Sequence, residues 1–212
     1  MGPEPLGLRE RKKRRTRDAL SAAAIELFLE RGFDNVSVAE IAAAAEVSKP
    51  TLFAYFDSKE DLVLHRIADH RGEAGRVVRE RPGGESALVA LENHLLAGLA
   101  RRDPVTGLND DREVLAFHGM VFATRSLAGR LAQYAARDEE ELAAALAETV
   151  PRAGQLDAAL VAAQVGAVRR VLARENWRQL AAGRPAQEVL PAAVTAARRA
   201  FQALRTGHPD FA

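Results

Sequence analysis

Apolar positions recur along this chain with the spacing of helices rather than the alternation of strands. Leu20, Ala24, Leu27 and Phe28 fall at i, i+4, i+7 and i+8 on one face. The pattern stops at Arg31-Gly32-Phe33, where a glycine suits the residue after a last turn and an aromatic ring can fold back on the helix end. Ser37 and Glu40 have the spacing of a capping box, in which the hydroxyl caps a free amide and the carboxylate reaches back to the cap's own N–H. Behind them Val38, Ile41, Ala42 and Ala45 form one apolar stripe. Glu46-Val47 is a turn, Ser48 caps a second short helix, and Pro50 sits in its first turn, where a missing N–H costs nothing. Leu52 and Phe56 are i, i+4 partners facing inward. Ser58 and Asp61 repeat the capping signature and open a longer helix expected to run to about Glu80.

Arg81-Pro82-Gly83-Gly84 is the clearest break. Beyond it the periodicity predicts helical segments over 85–102, 111–124, 126–149, 155–182 and 186–205. Asp103-Pro104 with Gly107, Pro151 with Gly154, and Gly183-Arg184-Pro185 separate them. No repeat of fixed period is present. Among 212 residues, 48% are hydrophobic, 28% charged and 5% aromatic, with Ala and Leu dominant and no β-branched runs. The fold class is therefore all-α.

The absence of Cys rules out disulfides, thiolate zinc sites and cysteine nucleophiles, and fits a reducing compartment. Every Ala/Leu segment is interrupted by Arg, Glu or Gln before reaching the length of a membrane span. The N-terminal charges have no apolar segment of the signal-peptide kind behind them. The chain reads as soluble and cytoplasmic. Formal net charge is only +1, with 30 Lys+Arg against 29 Asp+Glu, so any affinity for nucleic acid must come from local clustering.

Such a cluster exists. Arg9, Arg11, Lys12, Lys13, Arg14, Arg15 and Arg17 stand against Glu10 alone, directly before two short capped helices around a tight turn. That arrangement is a helix-turn-helix, whose second helix exposes its N-terminal residues to base edges while its apolar side packs on the first. Ser48, Lys49 and Thr51 are the exposed residues here. Lys49 can donate to guanine or to a phosphate, and Thr51 can hydrogen-bond a base edge or set its methyl against that of thymine. Tyr55 suits a phosphate oxygen, and Lys59 with the free amides opening the next helix makes a second phosphate site. The basic run reads as an arm tracking phosphates or entering the minor groove, with Arg14, Arg15 and Thr16 as contacts. A solvated helix face is the plainer alternative for the same charges.

Residues 17–64, with AAAIELFLERGFDNVSVAEIAAAAEVSKPTLFAYFDSKEDL at their centre, resemble the DNA-binding region of the TetR family of bacterial transcriptional regulators. The resemblance is dense over about a quarter of the chain, and the remainder is similar only in size and helical character. It implies a homodimer with three DNA-binding helices and a larger helical ligand domain per subunit. It also implies DNA contacts by Ser37, Ser48 to Thr51, Tyr55 and Lys59. Three departures stand out: Glu46 where the family often has Gly, Pro50 for a common Gly, and Phe53-Ala54 for a frequent pair of tyrosines.

The expected organisation is a flexible basic arm over 1–16, a helix-turn-helix domain over 17–62, and a helical ligand-binding and dimerisation domain over 63–212. Asn93, Phe117, His118, Phe122 and Arg125 are the candidate ligand residues, because an apolar pocket with a few convergent polar groups is the usual small-molecule site. Trp177 reads as an interface or helix-end anchor. The two C-terminal helices, rich in Ala and Val, are the expected dimer interface by resemblance to the family. A dimer supplies both half-sites of a palindromic double-stranded operator.

No phosphate loop, nucleophile elbow or HExxH motif is present, and the five-residue spacing of His65 and His70 does not put them on one face for a metal. The chain is therefore not read as an enzyme, and neither cofactor nor metal is expected. The function expected is that of a transcriptional regulator, favoured as a repressor released by an unidentified small apolar effector. A ligand-independent or activating regulator and a non-specific architectural DNA binder are the alternatives. The near balance of positive and negative charge weighs against the last.

Overall fold

The computed structural model describes residues 7–68 and 70–212, and no strand occurs among them. Ten α-helices follow in order: α1 (Leu8–Arg31), α2 (Val38–Ala44), α3 (Lys49–Phe53), α4 (Lys59–Ala68), α5 (Glu73–Glu80), α6 (Ala87–Ala100), α7 (Arg112–Ala123), α8 (Arg125–Thr149), α9 (Gln155–Ala181) and α10 (Ala186–Gly207). Short 3-10 turns occupy Pro104–Thr106 and Pro209–Phe211. The five segments expected after residue 84 all form. The break near residue 125 narrows to a single residue, Thr124.

Two compact units divide the chain. The first takes in residues up to 69 together with Gly119–Leu131, and the second His70–His118 with Ala132–Ala212, so α7 and α8 each contribute to both. In the first unit Leu20, Ala24, Ile25 and Phe28 of α1 are buried with Ile41, Leu52, Phe56, Leu62, Leu64 and Leu127. The Ser21 hydroxyl donates to the Leu62 carbonyl at 2.7 Å, locking α1 to α4. Phe33 does fold back, its ring 4.9 Å from that of Phe28. The buried Asp61 carboxylate accepts from the Ser58 hydroxyl at 2.8 Å and from Arg130 Nε at 2.8 Å and Nη2 at 3.0 Å.

Two expectations change. The expected arm over 1–16 begins with six residues that lie outside the described ones, but from Leu8 onward the basic run is the first turns of α1. No Gly or Pro interrupts Leu8–Arg31, and Arg, Lys and Leu are good helix formers, so propensity alone favours helix there. The single helix expected from Ser58 to Glu80 is two helices, α4 and α5. Gly72 takes a left-handed φ of 64° before α5, its N–H donates to the Asp138 carboxylate at 3.3 Å, and the Arg71 guanidinium lies 3.9 Å from the Tyr134 ring centroid. Contacts more than sixty residues away in sequence therefore stop the helix.

The second unit packs α5, α6, α8, α9 and α10 around two apolar clusters. One holds Leu88, Leu91, Leu146, Val161, Val165 and Phe201. The other holds Leu99, Leu108, Leu180, Val189 and Ala197. Trp177 donates its indole N–H to the Leu115 carbonyl of α7 at 3.2 Å. Asn176 donates to the Thr106 carbonyl at 2.9 Å, and this draws the 3-10 turn against α9. Gly107 sits at that junction with φ 70°, where an added Cβ would lie 1.9 Å from the Ala173 carbonyl oxygen.

Gly107→Ala is therefore expected to destabilise the protein by roughly 3 kcal/mol or more, since backbone rather than a flexible side chain stands in the way. Gly129→Ala, on α8 with nothing within 4 Å, should instead stabilise by about 0.5–1 kcal/mol. Urea unfolding of both variants checks the contrast.

The histidines of the second unit separate by environment. The hydrogen bond that the His70 imidazole donates to Glu73, foremost, holds His70 above its ordinary 6.5, and the same bond together with the one from His94 holds the Glu73 carboxyl well below its ordinary 4.5. His70 thus stabilises the fold fully below pH 6.5 and loses that contribution as pH rises through its raised value. Glu73 stabilises above pH 4.5 and loses its contribution only as pH falls through its depressed value. Their joint contribution is greatest between pH 4.5 and 6.5. Burial pushes His118 the other way, from 6.5 to about 4, so between those values the unfolded chain takes a proton that the folded chain refuses. Imidazole NMR titration should find His70 charged and His118 neutral in that window.

Candidate nucleic-acid interface

Residues 37–61 form their local structure through short-range caps. The Ser37 hydroxyl accepts from the Glu40 N–H at 3.3 Å while the Glu40 carboxylate accepts from the Ser37 N–H at 2.8 Å, completing the capping box. This, with Arg31 at 3.1 Å, holds the Glu40 carboxyl below its ordinary range, the Ser37 backbone bond being the largest cause. Between α2 and α3 Glu46 adopts φ 53°, a left-handed conformation that glycine takes without strain. Glu46, where the resemblance led one to expect Gly, holds this left-handed conformation itself. Ser48 then caps α3, accepting from the Thr51 N–H at 3.2 Å, with the two hydroxyls 2.7 Å apart.

Helix α3 has an inner and an outer face. Leu52 is buried, as is Phe56 just beyond the helix end, whereas Ser48, Lys49, Pro50 and Thr51 are all exposed. Phe53 is 49% exposed on the same short helix, a large apolar side chain turned to solvent. Two α1 residues flank it without having been singled out by sequence. Arg17 donates to the Tyr55 carbonyl from Nε at 3.2 Å and Nη2 at 2.9 Å, with its guanidinium 5.7 Å from the Phe56 ring centroid. Asp18 pairs with His65 of α4 at 2.9 Å. Nothing local in the sequence announces either contact, since each partner lies at least 38 residues away.

The predicted DNA-contact residues divide by what already occupies them. Arg14, Arg15 and Lys49 are exposed. The Thr16 hydroxyl donates back to the Lys12 carbonyl at 3.0 Å; Ser37 and Ser48 use their hydroxyls as caps and that of Thr51 meets the Ser48 hydroxyl, all three remaining solvent-facing, Thr16 alone being half-buried. Tyr55 is half-buried, its carbonyl taken by Arg17. Lys59 departs from expectation. Its ammonium donates to the Phe33 carbonyl and sits 4.2 Å from the Phe33 and 5.2 Å from the Phe28 ring centroids. Desolvation there lowers its pKa. The side chain ties the start of α4 to the end of α1 instead of projecting as a phosphate donor.

The five candidate ligand residues are divided between the two units. Asn93 is exposed and donates to Glu85 at 2.9 Å. Phe117 and His118 are buried neighbours with ring centroids 5.8 Å apart. Phe122 is half-buried and Arg125 exposed, both in the first unit. A partly open cavity of the second unit, about 30 Å³, is lined by none of the five but by His94, Asp103, Thr106, Arg169 and Asn176 among leucines and alanines of α6, α9 and α10. Among the described residues no group of three or more His, Asp or Glu is placed to hold a metal ion, and no helix is long and apolar enough to cross a membrane.

Comparison with known proteins agrees with this geometry. Residues 20–65 match the family model described as bacterial regulatory proteins, tetR family. The chain is 39% identical over 139 residues to the HTH-type transcriptional regulator TcmR of Streptomyces glaucescens, covering 65% of this chain but only 60% of that protein. It is 28% identical over 160 residues to the nucleoid occlusion factor SlmA of Escherichia coli, covering 73% of this chain and 78% of that protein. Among solved structures, NalD of Pseudomonas aeruginosa, the secondary repressor of the MexAB-OprM multidrug efflux pump, superposes with a TM-score of 0.59 at 18% identity, covering 88% of this chain and 97% of that one. A TetR-family regulator from Streptomyces coelicolor A3 gives 0.56 at 24% identity, covering 95% and 99%. At those identities the two structures speak for the fold alone. With its capped helix-turn-helix and its matching family model, the segment over residues 20–65 is a DNA-binding region of the tetR family of bacterial regulatory proteins.

Proposed function

We propose that the protein is a sequence-specific DNA-binding transcriptional regulator that works as a homodimer and represses until a small effector releases it. The observation that carries this reading is the two-faced α3: Ser48, Lys49, Pro50 and Thr51 exposed in a row, with Leu52 and Phe56 buried behind them. Exposed N-terminal residues on a helix braced from behind are what entry into the major groove requires. The exposed cations of α1, Arg14 and Arg15 among them, supply the phosphate attraction that net charge does not. Lys49 and Thr51 are the base-reading candidates, Ser37 and Tyr55 lie toward the backbone, and Lys59 acts through the packing of α4 on α1. TcmR, a transcriptional regulator by name, supports the same activity for this chain.

Helices α9 and α10 supply the surface for a second copy. On α9, Leu156, Leu160 and Val171 are 72%, 48% and 67% exposed. On α10, Ala192, Thr195, Ala196 and Ala203 line a shallow open face with Pro191 and Arg199. Apolar side chains left to water beside small ones that permit close approach fit a two-fold helical interface. Effector binding in the second unit would favour a dimer whose recognition helices no longer match the half-site spacing, and can release DNA only as far as it prefers that conformation. A ligand-independent binder is the second reading, favoured by the small volume of the cavity.

The deciding experiment is binding to the DNA upstream of the protein's own gene, across several salt concentrations and with excess non-specific competitor. Competitor-resistant binding to a palindrome is expected; binding that competitor abolishes would leave only phosphate attraction and sink the reading. Lys49→Gln should flatten the log-affinity against log-salt slope by up to about 0.9, or by nothing if Lys49 reads a base alone. Thr51→Ala should shift preference among operators, whereas a uniform loss would assign it to the backbone. Leu160→Arg should yield monomers by light scattering at concentrations where the unsubstituted protein is dimeric.

A further inference from the structure

Each polar side chain lining the cavity of the second unit is committed to a protein partner except one. His94 pairs with Glu73 at 3.4 Å. Asp103 accepts from the Val105 N–H at 3.2 Å and pairs with Arg101 at 3.6 Å. The Thr106 hydroxyl donates to the Asp103 carbonyl at 2.7 Å, and Asn176 donates to the Thr106 carbonyl at 2.9 Å. Among the described residues, none makes a hydrogen bond or ion pair with Arg169 of α9. The residue is half-buried along its length, yet its guanidinium is desolvated enough to lower its pKa.

Its acidic neighbours, Glu73, Asp138 and Asp103, act on it only through space. Glu73 is held by His70 and His94, and Asp138 by the Gly72 N–H. A guanidinium carries five N–H donors in a planar fork matched to a carboxylate; no buried side-chain nitrogen among the described residues lacks a partner, so those of Arg169 face solvent at the cavity, open to an anion. The remaining walls of the cavity are leucines of α6 and α9 with Gly98, Val105 and alanines.

We propose that this cavity is an effector site for a small organic anion, with Arg169 taking a carboxylate through its two-pronged face and the leucines of α6 and α9 taking an apolar body. At about 30 Å³ the resting cavity has room for only about one or two waters. A carboxylate head group fills that space against Arg169, and a longer body must part α6 from α9 and α10. Those two C-terminal helices are also the ones proposed to dimerise, so occupation of the cavity strains the subunit interface. The inference rests on the regulator reading and names the effector class for it.

The test uses acetate, butyrate, hexanoate and octanoate against the primary alcohols and amines of the same chain lengths, with binding followed by calorimetry and thermal shift on the DNA-free protein. Carboxylates should bind and raise Tm where matched alcohols and amines do not. Arg169→Gln should weaken carboxylate binding by about 10- to 100-fold, the loss of charge-assisted hydrogen bonds. Arg169→Lys, which keeps the charge but not the fork, should fall between. Equal binding of acid and alcohol, no binding of any carboxylate, or undiminished binding by a folded Arg169→Gln variant overturns the proposal. Should Arg169→Gln fail to fold, the acid-against-alcohol comparison in the unsubstituted protein still decides it. Operator affinity measured without carboxylate separates the two ideas: intact DNA binding with no carboxylate binding sinks the effector class alone, and the reverse sinks the regulator reading.

Discussion

The first unit depends on a buried carboxylate. Asp61 is 7% exposed, and a charge so removed from water is tolerable only with near-complete pairing. It finds that pairing in the Ser58 hydroxyl of its own cap and in two nitrogens of Arg130. Because the guanidinium engages it side-on, the start of α4 is set in direction as well as in position. Helix α4 is then joined to α1 by Ser21 and by the His65–Asp18 pair, and α1 holds the end of α3 through Arg17. The orientation of the recognition helix is thus the last link in a chain of polar contacts that begins at Asp61.

That dependence follows from the length of α3. Five residues are too few for a helix to persist by its own hydrogen bonds in water. Its geometry has to be imposed at both ends. Ser48 supplies the N-terminal constraint and Arg17 the C-terminal one, with Leu52 as the apolar anchor between them. Lys59 belongs to the same scheme: an ammonium stacked over Phe28 and Phe33 is more useful as a brace than as a free charge. The outward residues are then free to differ without loosening the scaffold, which is how a binding face varies its preference on a constant frame.

The second unit is held by a mainly apolar core with ionised groups at chosen points inside it. Glu92 is buried against Arg205, and Glu73 is clasped by two histidines. In each of these the opposite charges meet, which is the condition for keeping them there. Arg169 is only half-buried, and its guanidinium is the cation that lines the cavity between these paired groups.

What the sequence determined by itself were features whose partners lie within a few residues. The capping box at Ser37 and Glu40, the Ser48 cap, the fold-back of Phe33 and the run of helices from Ala87 to Gly207 all follow from spacing, because their hydrogen bonds and apolar faces are local. The helical start of α1 was legible too, in the absence of Gly and Pro after Gly7, although its charges suggested an arm. Tertiary structure alone decided the break before α5, which Asp138 and Tyr134 impose from far along the chain. It also decided that Lys59 turns inward, that Arg17 rather than a residue of α3 fixes the helix end, and that Arg169 and Asn176 line the cavity while Asn93 and Arg125 face water. Periodicity specifies which side of a helix is buried, but which polar side chain meets which depends on how helices distant in sequence pack, and no local pattern encodes that.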